Sequence, residues 1–335
     1  MTIEEKIWKQ VQETQDYGLL HGKMGVCVSM FVLGRHNAQS PYHKQAELLL
    51  GDIIKSIGKV KCIDLENGLL GLALGFRFLI QGKYVRGTTE TYLQDLDNYI
   101  YKLSCKTLGM ELSGKDTKTL SDVLLYASLR YGDIENPYRK EWYGRFLVEL
   151  FNAIYQKHTN AFYREALPFA IHTGFNTFLY ALLRIRALGM EQGRIDNILH
   201  EMQYSLFSCM PMLNSNRFCL YVAVSLVAQA TKKMEWREYG QLLRAHIDFQ
   251  NILTRDLYDM NVSPNEGVIG IYLLAKLYGT RMEDAIPLDM DMVRQRVVKS
   301  AFLRRLETDE DFLGKNYSLN GYYGIKVFLD CTHDE

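Results

Sequence analysis

The sequence predicts an all-α protein, an (α/α)7 toroid in which buried inner helices alternate with amphipathic outer helices. Three observations support this prediction: a glycine pattern recurs about every fifty residues, an apolar helix follows each copy, and an amphipathic helix lies between copies. The chain has 335 residues, of which 47% are hydrophobic. That apolar content is sufficient for one large core, so we expect a single domain over residues 1–335.

The glycine pattern is a polar residue followed by Gly-x-x-Gly and an apolar run. Four clear copies begin at His21, Asn67, Glu266 and Asn320. The long interval between the second and third of these has room for three weaker copies, which we assign to residues 119–125, 174–179 and 216–221. Seven copies at a regular spacing indicate a repeat architecture with one helix pair in each repeat.

Each copy is predicted to open an inner helix. The stretches 24–33 and 268–277 are apolar nearly all round, and a helix without a polar face must be buried on every side. Glycines that are one helical turn apart lie on the same face, where they allow a neighbouring backbone to approach closely. We therefore expect close backbone contacts at these glycines.

Amphipathic outer helices are predicted between the copies. Ser40 and Pro41 have the N-cap and first-turn preferences that begin one of them, and apolar residues then recur at helical spacing up to Ile57. The others are predicted at Thr89–Leu103, Tyr138–Tyr155, Met190–Phe207, Trp236–Leu253 and Met290–Leu306. An N-terminal helix, Ile3–Gln15, would be the seventh outer helix and close the ring against residues 321–329.

The seven glycine-marked helix starts resemble those of the lanthionine synthetase C-like family, whose members are toroids of seven helix pairs. The resemblance extends from about His21 to Leu329. Cyclases of the family add a cysteine thiol of a precursor peptide to a dehydrated serine or threonine, and a zinc ion lowers the pKa of that thiol. The resemblance thus implies a peptide as the ligand and the central cavity of the toroid as its site.

The same resemblance places the family's zinc ligands at positions where this chain has other residues. The Cys-His pair before the sixth repeat falls on Asn265 and Glu266, and the fifth-repeat cysteine falls at or near Asn214. His172 lies two residues before Gly174, whereas the family's histidine directly precedes the glycine. Asparagine is a poor zinc ligand, so we expect a protein with no metal and no other cofactor.

Candidate site residues are the polar residues around the starts of the inner helices. If these helices run parallel, their N-termini meet at one mouth, where unpaired N–H groups and helix dipoles favour a polar or anionic ligand. The candidates for acid–base catalysis are Glu266, Glu66 and His172. The candidates for ligand binding are His21, Asp64, Asn67, Asn214, Asn216, Arg217, Asn265 and Asn320. Each also has a structural interpretation, as a cap, a turn residue or an ion-pair partner.

The favoured function is that of a metal-free lanthionine synthetase C-like protein. It would bind a peptide or a small polar ligand in the central cavity, or assist modification of the peptide. One alternative is an active zinc-dependent thioether cyclase with displaced ligands. The other is a carbohydrate-active toroid, in which Glu66 and Glu266 form the carboxylate pair of a glycoside-acting enzyme.

Composition bears on partners and location. The 39 basic and 39 acidic side chains cancel, so no overall charge attracts nucleic acid. The longest apolar run, Gly68–Phe76, is too short to span a bilayer. The start of the chain lacks the apolar centre of a signal peptide, and the six cysteines are scattered. We expect a cytoplasmic protein with no nucleic-acid partner and no membrane insertion, in which the basic pair Lys232-Lys233 is solvated.

Overall fold

A computed structural model describes residues 2–35, 40–157, 169–257, 259–279 and 286–332. Every regular element in these ranges is a helix, which confirms the all-α prediction. The chain divides into two compact units. Unit 1 contains Met1–Lys106, Val262–Pro264 and Arg294–Glu335, and unit 2 contains Thr107–Asn261 and Asn265–Val293.

Helices follow one another along the described ranges without a strand between them. The first nine are α1 (Ile3–Glu13), α2 (Lys23–Leu33), α3 (Pro41–Ser56), α4 (Leu69–Gln81), α5 (Thr89–Tyr92), α6 (Gln94–Leu108), α7 (Gly114–Asp133), α8 (Pro137–Lys157) and α9 (Gly174–Ala187). The next nine are α10 (Gln192–Leu206), α11 (Asn214–Thr231), α12 (Met234–Ala245), α13 (Phe249–Asn251), α14 (Val268–Gly279), α15 (Met290–Val298), α16 (Ala301–Thr308), α17 (Glu310–Lys315) and α18 (Tyr322–Cys331). A 3-10 turn, Ile57–Lys59, follows α3, and a π-helical turn, Ile252–Asp256, follows α13.

In unit 1, three inner helices lie side by side: α18 packs against α2, and α2 packs against α4. Each begins directly after the first glycine of a predicted copy, since Gly22, Gly68 and Gly321 are their N-cap residues. All nine residues from Lys23 to Phe31 are buried. The glycine pattern therefore locates these helix starts correctly, and α2 is buried on all sides as predicted.

In unit 2, the inner helices α7, α9, α11 and α14 are neighbours in chain order. Helix α7 packs against α9, α9 against α11, and α11 against α14. Three of them also pack against the outer helix that follows: α7 with α8, α9 with α10, and α11 with α12. In unit 2, helices that begin at the predicted copies thus alternate along the chain with the helices that we predicted as outer.

Four of the predicted outer helices are confirmed, as α1, α3, α8 and α10, and their ends lie within two residues of the predicted ones. The start of α3 is the most specific case. Ser40 is its N-cap, and the hydroxyl of Ser40 accepts a hydrogen bond from the N–H of Tyr42 at 3.3 Å. Pro41 occupies the first helical position, where its missing N–H is not needed.

Two other predicted outer helices are interrupted. The stretch Thr89–Leu103 forms a short helix, α5, and a separate helix, α6, because the chain turns at Leu93, whose side chain is buried. The stretch Met290–Leu306 divides into α15 and α16 at Ser300, whose hydroxyl accepts a hydrogen bond from the N–H of Leu303. A serine hydroxyl competes with the helix for backbone N–H groups, which apolar spacing alone does not reveal.

The predictions at Trp236–Leu253 and at the third copy are also wrong in their bounds. Helix α12 ends at Ala245, and Asp248 then caps α13 by accepting a hydrogen bond from the N–H of Asn251. Helix α7 begins at Gly114 rather than at residue 119, because the preceding Ser113 forms a capping box there.

Glycines of the repeat lie where the preceding loop touches the helix. A Cβ atom on Gly71 would stand within 3.0 Å of the carbonyl oxygen of Leu65, and one on Gly25 equally close to the carbonyl oxygen of Leu19. Gly324 makes the corresponding contact in α18. The expected close backbone contact is confirmed, and the backbone that approaches belongs to the loop before the same helix.

Helix α1 contacts the last inner helix within unit 1. Glu4 accepts hydrogen bonds from Lys326 Nζ and from the hydroxyl of Tyr322, both on α18. Lys6 Nζ also lies 2.6 Å from a carboxylate oxygen of Glu310 on α17. The predicted contact between the N-terminal helix and residues 321–329 is thus present. That it closes a ring stays a prediction.

Candidate functional site

The loops before α2, α4 and α18 are joined in unit 1 through the backbone of Leu20. The N–H of Leu20 donates to the carbonyl of Glu66 at 3.1 Å, and the carbonyl of Leu20 accepts from the N–H of Asn320 at 2.9 Å. His21 follows Leu20 directly in the chain. The structure therefore brings together three predicted site residues, His21, Glu66 and Asn320, and all three are half-buried.

Asp64 and Asn67 shape the loop before α4. Asp64 Oδ1 accepts a hydrogen bond from the backbone N–H of Asn67, three residues further along the chain, at 2.8 Å, so the side chain of Asp64 stabilises the turn before α4. Asn67 is exposed, and the N-cap of α4 is the following residue, Gly68. The interpretation of Asn67 as an N-cap is therefore wrong, whereas Asp64 has the structural role of a turn residue.

First-turn N–H groups of several inner helices are already hydrogen-bonded within the chain. In α2, the N–H of Lys23 donates to the carbonyl of Asp16 at 2.9 Å. The corresponding donors are Leu69 in α4, Tyr322 in α18 and Val268 in α14, and their acceptors are the carbonyls of Cys62, Asn316 and Asn261. The expectation that unpaired N–H groups attract an anion is wrong at these positions, because the preceding loop curls back and caps its own helix.

The centre of the candidate site in unit 2 is a buried pair, Asp122 and His172. His172 Nε2 lies 2.7 Å from Asp122 Oδ1, and the two side chains are 10% and 1% exposed, the histidine first. Asp122 comes from α7, and His172 from the loop before α9. A carboxylate that accepts a hydrogen bond from Nε2–H favours the tautomer with the lone pair on Nδ1. Nδ1 of His172 is buried as well.

Asn265 braces the loop that carries His172. Its side-chain Oδ1 accepts a hydrogen bond from the N–H of His172 at 2.8 Å, and its backbone carbonyl accepts one from the N–H of Ile171 at 2.9 Å. Glu266 comes next in the chain and is exposed, with Oε1 at 3.5 Å from Asn265 Nδ2. The structure thus brings Asn265 to the backbone of the His172 loop, and Glu266 follows Asn265 at the surface.

Two more side chains hold the same loop. Asn216, on α11, accepts a hydrogen bond through Oδ1 from the N–H of Phe169 at 2.8 Å. Thr173 is the N-cap of α9, and its hydroxyl accepts from the N–H of Asn176 at 3.0 Å. The loop 169–173 is therefore anchored by side chains from α7, from α11 and from the loop before α14.

Arg217 and Asn214 form a separate polar cluster at the start of α11. The guanidinium of Arg217 donates to the carbonyl of Pro211 from Nε at 3.1 Å and from Nη2 at 2.8 Å, and Nη1 donates to Asn214 Oδ1 at 3.1 Å. Asn214 Oδ1 also accepts from the N–H of Asp248 at 3.0 Å. Arg217 thus binds main-chain carbonyls rather than the carboxylate expected for an ion pair, and Asn214 joins two loops.

Neutral polar groups occupy the interior next to this loop. Asn176 Nδ2 donates to the carbonyl of Ala170 at 2.9 Å and lies 3.6 Å from Cys219 Sγ. Burial raises the pKa of Cys219 to about 11, although the Asn176 hydrogen bond acts in the opposite direction. Tyr180 stacks on Tyr278 with ring centroids 6.0 Å apart, and burial raises the pKa of Tyr180 well above its ordinary value. This region therefore presents no thiolate at neutral pH.

The residues at the family's zinc positions do not fit a zinc ion. The carboxamide oxygen of Asn265 holds the His172 loop, and that of Asn214 holds Arg217 and the Asp248 backbone. Glu266, at the third of these positions, has a carboxylate that can bind zinc, but none of the three positions has a thiolate or an imidazole, the ligands that zinc prefers. Across the described ranges, no three His, Cys, Asp or Glu side chains are grouped so that they could hold a metal.

Two residues of these clusters were not predicted from the sequence, Asp122 and Asp256. Asp256 Oδ2 accepts a hydrogen bond from the N–H of Ser215 in the first turn of α11 at 2.7 Å. For Asp122 a signal exists, since an acidic residue inside the apolar run 120–125 requires a buried partner. Asp256 lies in the π-helical turn, and its surroundings in the sequence give no such signal.

Comparison with known proteins identifies no relative of this chain. No protein-family model matches the chain, and no curated protein is significantly similar to it. The family resemblance therefore depends on the repeat pattern alone. No helix within the described ranges is long and apolar enough to cross a membrane. All six cysteines are free thiols.

Proposed function

We propose that this chain is a zinc-independent (α/α)7 toroid of the lanthionine synthetase C-like type, which binds a peptide or a small polar ligand in its central cavity. The observation that carries the proposal is the bracing of the His172 loop by Asp122 and Asn265, beside the exposed Glu266. Ligand sites typically combine a few oriented polar groups with a rigid frame. Packing of the inner helices in chain order within each unit supports the toroid.

Burial favours a positioning role over proton transfer for His172. The His172 side chain is 10% exposed, its Nδ1 is buried, and Nε2 is engaged by Asp122. A general base must come within hydrogen-bond reach of the proton that it removes. His172 therefore positions the loop, and Glu266 contacts the ligand. An exposed carboxylate at that position favours a peptide that presents an amine, a guanidinium or an amide N–H.

Peptide enrichment tests this function. The full chain is immobilised and exposed to a pool of short synthetic random-sequence peptides, and retained peptides are identified by mass spectrometry. We expect enrichment of basic peptides, and we expect Glu266→Gln to abolish it. The matched control is Glu235→Gln, which neutralises another exposed glutamate of unit 2 and should retain the enrichment. Absence of enrichment, or equal enrichment by both variants, would contradict the proposal.

The two alternatives have tests of their own. Stoichiometric zinc in elemental analysis of the purified chain, lost in Glu266→Gln or His172→Gln, would favour the thioether cyclase. Hydrolysis of a panel of glycosides, abolished by Glu266→Gln, would favour the carbohydrate-active toroid. That second alternative also requires Glu66, which belongs to unit 1, so Glu66→Gln should abolish the same hydrolysis.

A further inference from the structure

The outward face of α3, in unit 1, presents apolar side chains to solvent. The buried residues of α3 lie together on one side of the helix: Ala46, Leu49, Ile53 and Ser56. At 3.6 residues per turn, the opposite side is centred on Gly51, with Leu48 and Ile54 about 60° to either side of it. Leu48 is 68% exposed and Ile54 is 55% exposed. The outward face therefore consists of a glycine between two large, exposed apolar side chains.

The packing of α3 against its own chain does not explain Gly51. A Cβ atom at this position would meet no atom of the described residues within 4 Å, and the φ angle of Gly51 is not positive. A glycine in the middle of a helix is destabilising relative to alanine, because it adds conformational freedom to the unfolded chain. What a glycine does provide on an exposed face is room for the backbone of another helix to approach closely.

The charged side chains of the outward face are arranged symmetrically about Gly51. Glu47 lies four residues before it and Lys55 four residues after it, and both are exposed. The Glu47 side chain is 64% exposed although its carboxylate lies 3.8 Å from Nδ1 of His43. The two exposed apolar side chains lie three residues before and three residues after the same glycine. One half of the face is thus complementary to the other half in charge and alike in apolar character.

We propose that two copies of this chain associate through the outward face, with their α3 helices packed antiparallel about a two-fold axis at Gly51. Each residue then lies opposite the residue of the second copy that is equally far from Gly51 in the other direction. Glu47 of each copy meets Lys55 of the other, and Leu48 packs against Ile54. Parallel helices about a two-fold axis would place each Glu47 against the same residue of the second copy, so repulsion disfavours that arrangement.

Self-complementarity identifies a second copy as the partner, because a two-fold interface uses the same surface on both subunits. Lys44, also exposed, would lie beside the C-terminus of the second copy's α3, where the helix dipole favours a cation. One pair of helices is a small interface, below the roughly 1,200–2,000 Å² of stable complexes. The dimer should therefore be weak and should form only at higher protein concentrations.

Sedimentation-velocity ultracentrifugation of the full chain at a series of concentrations tests this interface. We expect a reversible equilibrium between monomer and dimer. Glu47→Lys and Lys55→Glu each place like charges opposite one another, so each variant alone should dimerise at least about tenfold more weakly. A mixture of these two variants should restore the dimer, because opposite charges then meet at both ends of the helix pair. The double variant Glu47→Lys/Lys55→Glu should restore it for the same reason.

A further variant, Leu48→Ser/Ile54→Ser, removes the apolar part of the face without changing its charge and should abolish the dimer. The matched control, Glu238→Lys, reverses an exposed glutamate on α12 of unit 2 and should dimerise as the unmodified chain does. All of the substituted residues are exposed, and circular dichroism checks the fold of each variant. The proposal is overturned if the unmodified chain stays monomeric at every concentration, or if Glu47→Lys and Glu238→Lys affect the dimer alike. It is equally overturned if the mixture of the two single variants does not restore the dimer.

Discussion

Asp122 Oδ1 and His172 Nε2 lie 2.7 Å apart in unit 2, and both side chains are almost completely buried. A buried polar pair of this kind is costly to break, because each partner then lacks the hydrogen bond that compensates for its removal from water. Asp122 belongs to α7, and His172 to the loop before α9. The pair therefore fixes the position of that loop relative to the helix beside it.

Removal of the carboxylate should destabilise unit 2. Asp122→Ala leaves His172 Nε2 without its acceptor, so we expect the free energy of unfolding to fall by about 1–3 kcal/mol. Asp122→Asn keeps an acceptor oxygen and should cost less. Urea denaturation followed by circular dichroism measures both. An Asp122→Ala variant as stable as the unmodified chain would show that the pair does not hold the loop.

Two glycine substitutions should separate the effect of close backbone contact on stability from the effect of helix propensity. A Cβ atom on Gly71 would stand within 3.0 Å of the Leu65 carbonyl oxygen, so Gly71→Ala should destabilise the chain by about 1–3 kcal/mol. The matched control is Gly51→Ala in α3, where nothing lies within 4 Å of the new methyl group. Helix propensity predicts a gain of about 0.5–1 kcal/mol there. Thermal unfolding compares the two, and equal effects would contradict the role assigned to Gly71.

The inner helices were predictable because their starts and their burial depend on neighbouring residues in the sequence, namely the Gly-x-x-Gly pattern and the apolar run that follows it. Gly22 and Gly68 mark helix starts correctly, and the apolar stretches behind them are buried. The breaks at Leu93 and Ser300 were not predictable, because the apolar spacing continues through both positions. Tertiary packing overrides that spacing at Leu93, and a competing side-chain cap overrides it at Ser300.

The candidate site was predictable only in part. The sequence placed His172, Asn265 and Glu266 before inner helices, but only the structure shows that Asn265 bonds the His172 loop. Asp122 was missed because the candidates were taken from residues before the inner helices, whereas Asp122 lies inside α7. Which polar groups remain available to a ligand also depends on long-range contacts. The Arg217 guanidinium donates to the carbonyl of His246, and the carboxamide oxygens of Asn214 and Asn265 accept from N–H groups of other loops.

Loss of the Asn265 carboxamide should loosen the His172 loop selectively. In Asn265→Ala, the N–H of His172 loses its acceptor, whereas the N–H of Ile171 keeps the backbone carbonyl of residue 265. We expect faster hydrogen exchange at the His172 amide and little change at the Ile171 amide. Exchange at residue resolution by mass spectrometry measures both. Equal acceleration would indicate a general loss of structure rather than the loss of one hydrogen bond.

Glu4 joins α1 to two other helices of unit 1 and should make the stability of that unit depend on acid. Its carboxylate accepts hydrogen bonds from Lys326 Nζ and from the hydroxyls of Tyr42 and Tyr322. Burial alone would raise the pKa of Glu4, but Lys326 and the two tyrosines bring it below the ordinary value of 4.5. An ionised Glu4 therefore stabilises the fold above pH 4.5, and that contribution is lost as the pH falls through the lower pKa of the folded state.

Glu4→Gln should isolate this contribution from that of the other carboxylates. At neutral pH we expect the substitution to lower the free energy of unfolding by about 1–2 kcal/mol, because Lys326 then faces an uncharged amide instead of a carboxylate. As the pH falls below 4.5 the difference between the variant and the unmodified chain should shrink, and it should vanish below the lower pKa of folded Glu4, where both proteins carry a neutral side chain at position 4. Glu13→Gln, at an exposed position near the end of the same helix, is the matched control and should show no such convergence. Urea denaturation from pH 3 to 7 measures all three proteins, and a pH-independent deficit in Glu4→Gln would mean that the charge of Glu4 contributes nothing.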